Sequence, residues 1–259
     1  MNRQKSGKRR LLAFPVSRLF PNMVTIAGLC CGISAMRFAI DGKFELAVTL
    51  LVAAAVIDGM DGRIARFLNS TSTFGAHLDS LSDFVCFGVS PAMVLYLWRL
   101  NEVKSIGWAM VLFFAVCCVL RLARFNTNLA DETIEPWQKK FFTGVPAPAG
   151  AMLGLMPLVA SFYVGNGIWT HAPLCAIWLA LVGVLMASRI PTIAAKKLII
   201  THEWVLPIML VVGLIIVCVI IEPWLMFTVG GLLYCLSLPV GVLYYYRLAR
   251  KYKLTSSDI

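Results

Sequence analysis

Four aspartates fall within 26 residues of otherwise apolar sequence: Asp58-Gly-Met-Asp61-Gly62-Arg63-Ile-Ala65-Arg66, eight further residues, then Gly75-Ala-His-Leu-Asp79-Ser-Leu-Ser-Asp83. An uncompensated carboxylate at membrane depth costs several kcal/mol, so four together call for positive charge, most compactly metal ions. The pairs are spaced three and four apart, so on two helices each pair projects from one face. At about 100° per residue, Ala65 shares the face of Asp58 and Asp61, and Gly75 that of Asp79 and Asp83. Such small residues let a bulky group approach the backbone beside the acids. Oxygen-only ligands favour Mg²⁺ or Mn²⁺ over Zn²⁺, and four carboxylates balance two divalent ions. Two metals about 4 Å apart suit in-line displacement at phosphorus, and a carboxylate can take the proton of an alcohol nucleophile. Arg66, with Arg63, stands at the same helix end to meet a pyrophosphate. The plain alternative is a buried ion-pair network.

The elements that must position these acids are membrane helices. Of 259 residues, 59% are hydrophobic and 14% charged, and no polar interval is long enough for a core of its own. The fold class is therefore an all-α polytopic membrane protein, with about eight spans near 22–40, 44–67, 74–98, 106–123, 148–164, 172–188, 204–221 and 224–246. A short interfacial helix is expected over 14–20, and Thr73 is expected to cap the third span. Counting about 1.5 Å per residue, the four acids lie no deeper than about 14 Å from the boundary.

The net charge of +10 is spread in a way that points to a lipid bilayer as partner and to no nucleic acid. Lysine and arginine cluster at the N-terminus and after the second, fourth, sixth and eighth spans, whereas the alternate connections hold only Lys43, Arg99 and Lys104. That bias places both termini and the acids on the cytoplasmic side. No apolar signal-peptide core precedes the first span. The eight cysteines sit in apolar runs without ligand spacing and read as packing residues. Trp98, Trp108, Trp169, Trp204 and Trp224 read as an interfacial belt. His77 falls about 160° from Asp79 around the helix and should face away.

The pattern Asp58-x-x-Asp61-Gly62-x-x-Ala65-Arg66, eight residues, Gly75-x-x-x-Asp79-x-x-x-Asp83 resembles the signature of the CDP-alcohol phosphotransferase family at every defined position. The resemblance implies a six-helix, usually dimeric core and a CDP-linked donor at a two-metal site open to the cytoplasm. It implies that Asp58, Asp61, Asp79 and Asp83 bind two divalent cations, Mg²⁺ or Mn²⁺, with Asp83 also the catalytic base. Asp61, Gly62, Ala65, Arg66, Gly75 and Asp79 would contact the CDP moiety. Further motifs resemble the serine-accepting, membrane-integral bacterial branch: Pro21-Asn22 with Thr25, Phe84-x-x-Phe87-Gly88-x-x-Pro91-Ala92, Arg121-Leu-Ala-Arg124-Phe-Asn126, Gly144-x-Pro146-x-Pro148-Ala149 and Ser188-x-x-Pro191-Thr192. This implies transfer of the phosphatidyl group of CDP-diacylglycerol to the hydroxyl of L-serine in the bacterial inner membrane. A serine carboxylate wants a guanidinium, so Arg121 and Arg124, with Asn126 and Pro146, are the acceptor candidates. Their alternative is positive-inside bias and snorkelling.

The expected organisation is a basic tail over 1–13, the family's membrane domain over 14–200, two additional C-terminal helices over 201–246, and a basic tail over 247–259. Rival readings are a family member with another acceptor (glycerol phosphate, inositol, inositol phosphate or choline) and, more remotely, a divalent-cation or proton-coupled transporter.

Overall fold

The computed structural model describes residues 19–67, 72–129, 141–193 and 204–256. The first two helices, α1 (Leu19–Ile40) and α2 (Phe44–Phe67), form an antiparallel hairpin. Gly42, at φ 74°, makes the turn, and the amide of Lys43 donates to the Phe38 carbonyl at 2.9 Å. Buried positions on α1 recur at Thr25, Gly28, Gly32, Ala35 and Ala39, a three-and-four alternation that makes one stripe of small side chains. Gly28 packs on Ala54 and Ile57 of α2. A Cβ on Gly32 would stand 2.7 Å from the sulfur of Cys86 in the next span, so α1 is clasped on both sides.

That next span runs from Thr73 to Trp98 in three parts: α3 (Thr73–Asp83), a π-helical turn (Phe84–Val89) and α4 (Ser90–Trp98). The wide turn has a local cause. Pro91 carries no N–H for the carbonyl four residues back, and the amide of Ser90 bonds five back to Val85. The loosened turn begins at the residue after Asp83.

A 3₁₀ turn (Leu100–Val103) leads into α5 (Lys104–Leu129), which is longer than the predicted 106–123. The fifth predicted span is two helices, α6 (Ala147–Gly154) and α7 (Met156–Val164), bent by 45°. Pro157 cannot donate to the Leu153 carbonyl, and the indole N–H of Trp178 takes that carbonyl instead, at 2.7 Å. Trp178 belongs to α8 (Ala172–Ala187).

Two short strands, β1 (Phe141–Thr143) and β2 (Pro191–Ile193), pair antiparallel with Phe142 opposite Thr192. Both segments read as loop from sequence, and as strands they qualify an otherwise all-α fold. The C-terminal helices are α9 (Val205–Ile221) and α10 (Pro223–Ser256). The last helix runs on through most of the stretch expected as a tail. None of α9 is buried.

Among the described residues, four helices are long and apolar enough to cross a bilayer, and the bent pair makes a fifth. Of the other predicted spans, α8 and α9 have 16 and 17 residues, short for a hydrocarbon core of about 30 Å, and α2 carries Glu45, Asp58 and Asp61. The chain is a polytopic, integral membrane protein. Its core lies among α1, α2, α4, α5, α6 and α8, where Leu51, Leu95, Phe114, Ala151 and Leu179 are fully buried.

Candidate active site

The hairpin brings the N-terminal part of α1 level with the C-terminal part of α2. The stripe of small residues on α1 ends at Thr25, whose hydroxyl donates to Asp61 Oδ2 at 2.9 Å, a contact across 36 residues with both side chains buried. On the third span, Ser82 donates to the Thr25 carbonyl at 3.4 Å, and the Cys86 thiol reaches the Gly28 carbonyl, also at 3.4 Å. Thr25 thus ties α1 to both acid-bearing helices.

The acid-bearing faces of α2 and α3 meet in the fold. Asp58, Asp61 and Asp79 each offer a carboxylate oxygen, and these atoms lie within 4.8 Å of one another. Asp83 lies deeper, its carboxyl within hydrogen-bonding reach of Asp58. A cavity of about 10 Å³, walled by Asp58, Asp61 and Asp83 together with Thr25, Ser82 and Cys86, has room for roughly one water. Among the described residues, no lysine or arginine forms an ion pair with the four acids; the pair Arg99–Glu102 lies elsewhere. Carboxylates this close repel unless a proton or cation lies among them, and an all-oxygen donor set suits hard divalent ions.

The small residues differ in what they leave open. Among the described residues, no atom outside α2 comes within 4 Å of where a Cβ on Gly62 would stand. A Cβ on Gly75 would stand 3.0 Å from Asn22 Oδ1 and 3.2 Å from Ser72 Oγ. Ser72, not Thr73, caps α3: its hydroxyl accepts from the Gly75 amide at 3.0 Å. A cap one residue earlier lets the hydroxyl reach an amide three positions on. The side chains of Ala65 and Arg66, at the end of α2, lie outside the described residues. His77 is exposed.

The acceptor candidates divide. Arg121 is buried, its Nε donates to the Val145 carbonyl, and its guanidinium is within electrostatic reach of Asp83. Pro146, next to that carbonyl, is the N-cap residue of α6. Arg124 spends one terminal nitrogen on the carbonyls of Ala187 and Ser188, at 2.8 and 3.1 Å, where α8 ends. Cations are favoured at that helix end. Asn126 donates to Ser80 Oγ at 3.0 Å, bracing α5 against α3 one residue past Asp79. The contacts of Thr25, Ser82 and Asn22 appear only in the fold: the sequence shows the Pro21-Asn22-x-x-Thr25 spacing but not what it faces.

Fold and site define a class: an integral membrane protein with a cluster of carboxylates able to hold metal between two neighbouring spans. Comparison with known proteins narrows it. Residues 18–164 match the sequence model of the CDP-alcohol phosphatidyltransferase family, and residues 203–239 match that of CDP-alcohol phosphatidyltransferase 2. A CDP-diacylglycerol–serine O-phosphatidyltransferase of Mycobacterium tuberculosis is 37% identical over 227 residues, covering 87% of this chain and 78% of the relative. Proteins of the same name are 34% identical in Helicobacter pylori, over 79% of this chain and 83% of theirs, and 33% identical in Bacillus subtilis, over 68% and 91%. The chain belongs to the CDP-alcohol phosphatidyltransferase family.

Proposed function

We propose that this protein transfers the phosphatidyl group of CDP-diacylglycerol to the hydroxyl of L-serine, yielding phosphatidylserine and CMP. The observation that carries the reading is the convergence of Asp58, Asp61 and Asp79 to within 4.8 Å, with Asp83 beside them. Relatives named as serine phosphatidyltransferases, covering most of the chain, support serine as the acceptor.

Asp58, Asp61, Asp79 and Asp83 would hold two divalent cations, Mg²⁺ or Mn²⁺, which when bound supply the positive charge that a pyrophosphate requires and stabilise the oxygen leaving with CMP. Asp61, Gly62, Ala65, Arg66, Gly75 and Asp79 surround the CDP moiety. The serine Oγ attacks the phosphorus that bears the diacylglycerol. One P–O bond forms as the bond to the CMP oxygen breaks, and the hydroxyl proton passes to an Asp83 carboxylate oxygen. Arg121, with its Nε held on Val145, presents its terminal nitrogens to the serine carboxylate. Pro146, Arg124 and Asn126 shape the wall behind it.

The catalytic domain spans 14–200 between a basic tail over 1–13 and the added helices over 201–246, and the basic segment 247–259 ends the chain. The site and both termini face the cytoplasm of a bacterial inner membrane. The bare apolar surface of α9 serves homodimer packing.

Purified protein given CDP-dioleoylglycerol and Mn²⁺ should release CMP only when serine is present, and chelation should stop it. Asp83→Asn should lower the rate by about 10²- to 10⁴-fold. CMP release that prefers inositol or glycerol phosphate to serine would replace the acceptor; release undiminished by chelator would remove the metal reading.

A further inference from the structure

The third span keeps one side on α1 through all three of its parts, α3, the π-turn and α4. Ser82 and Cys86 bond to carbonyls of α1, and the same four-residue step continues to Ser90 and Val94, all four less than a tenth exposed. An α-helix does not hold a four-residue step on one face. At about 100° per residue each step drifts by about 40°, so a straight helix would place Val94 about 120° around from Ser82. The π-turn between them takes back most of that drift, because a turn closed five residues back holds one residue more, worth about 100°, than a turn closed four back. In a straight helix of the same sequence, α4 could bury Ala92, Val94 and Leu95 only with the acidic face of α3 turned about 100° away. The turn is kept although the hydroxyl of Ser90, at its end, is fully buried with no hydrogen-bond partner among the described residues, which is destabilising.

We propose that Pro91 is a positioning residue for the acidic site. With no N–H to close a turn on the Phe87 carbonyl, it holds the wide turn open, and the turn sets the rotation of α3 and hence the aim of Asp79 and Asp83 at Asp58 and Asp61. The two halves do not share a change in the turn equally. α4 is locked in the core by Ala92, Val94 and Leu95, whereas Ser82 is the one buried residue described on α3, so α3 is the half that rotates. The proposed reaction supplies only the purpose of the acids; the rotation can be read without metal or substrate.

A Cβ on Gly75 would stand 3.0 Å from Asn22 Oδ1, so a disulfide in Asn22→Cys/Gly75→Cys reports whether α3 keeps its face on α1. The full-length, metal-free protein in nanodiscs is oxidised with diamide and the bridge is quantified by peptide mapping. It should form in that background and fall at least about fivefold when Pro91→Ala is added, because the restored amide can close on Phe87 and turn α3 away. It should return when Val89 is deleted as well. In that variant the bond from the Ser90 amide to the Val85 carbonyl spans four residues in place of five, and residue 91 falls four after Cys86, so a continuous α-helix has both halves in phase. Mn²⁺ affinity, measured with Asn22 and Gly75 intact, should follow the same order, at least about tenfold weaker in Pro91→Ala and recovered on deletion of Val89. A bridge undiminished by Pro91→Ala overturns the proposal, and so does a bridge that deletion of Val89 does not restore, which would assign Pro91 to packing alone. A bridge that falls and recovers while Mn²⁺ affinity stays level would leave the rotation standing and remove the metal reading instead.

Discussion

Thr25→Val replaces one hydroxyl by a methyl of nearly the same volume on the stripe where α1 meets the acid-bearing helices. Both side chains are β-branched, so helix geometry and packing are retained. What disappears is the 2.9 Å hydrogen bond to Asp61 Oδ2, in a place where each partner is less than a tenth exposed. A hydrogen bond to a charged group contributes about 1.5–3 kcal/mol, which is about 10- to 150-fold in an equilibrium constant. Outer-shell partners of metal ligands matter by about 10- to 100-fold, which agrees. Mn²⁺ titrated into the purified protein and followed by electron paramagnetic resonance should therefore bind Thr25→Val at least tenfold more weakly, with serine-dependent CMP release falling in parallel. Thr25→Ser keeps the hydroxyl and should recover most of the affinity. If Thr25→Val binds Mn²⁺ as the wild type does, Thr25 does not orient Asp61 for metal and the hydrogen bond serves only to join the helices.

The two arginines of the fourth span should separate by readout. Arg121→Lys should raise KM for serine, because an ammonium loses the planar fork a carboxylate matches, whereas Arg124→Ala uncaps the Ala187 and Ser188 carbonyls and should lower the thermal midpoint, at a cost of about 1–3 kcal/mol. Gly144 sits at φ 78°, and a Cβ there would stand 2.7 Å from the Met186 carbonyl oxygen and 2.8 Å from that of Ser188. Gly144→Ala should therefore destabilise the protein by more than about 1 kcal/mol in a denaturation experiment, from conformation and close contact together.

Much of this protein was legible in one dimension because membrane helices announce themselves locally. An apolar run of sufficient length, a basic cluster at one end, and carboxylates three and four apart on one helix face depend on helix geometry alone. Pro91 and Pro157 likewise carried the cause of the π-turn and the bend, since a missing N–H acts on its own helix whatever surrounds it. Contacts between distant segments had no such local signature. Nothing in the spacing of Thr25 indicates that it meets Asp61, and an Arg-Leu-Ala-Arg run does not reveal that its second arginine closes a helix 63 residues away. The pairing of β1 with β2 also depends on how the helices stack. Periodicity says which face of a helix is apolar or acidic; which neighbour that face meets is settled only when close packing selects one arrangement of the whole bundle.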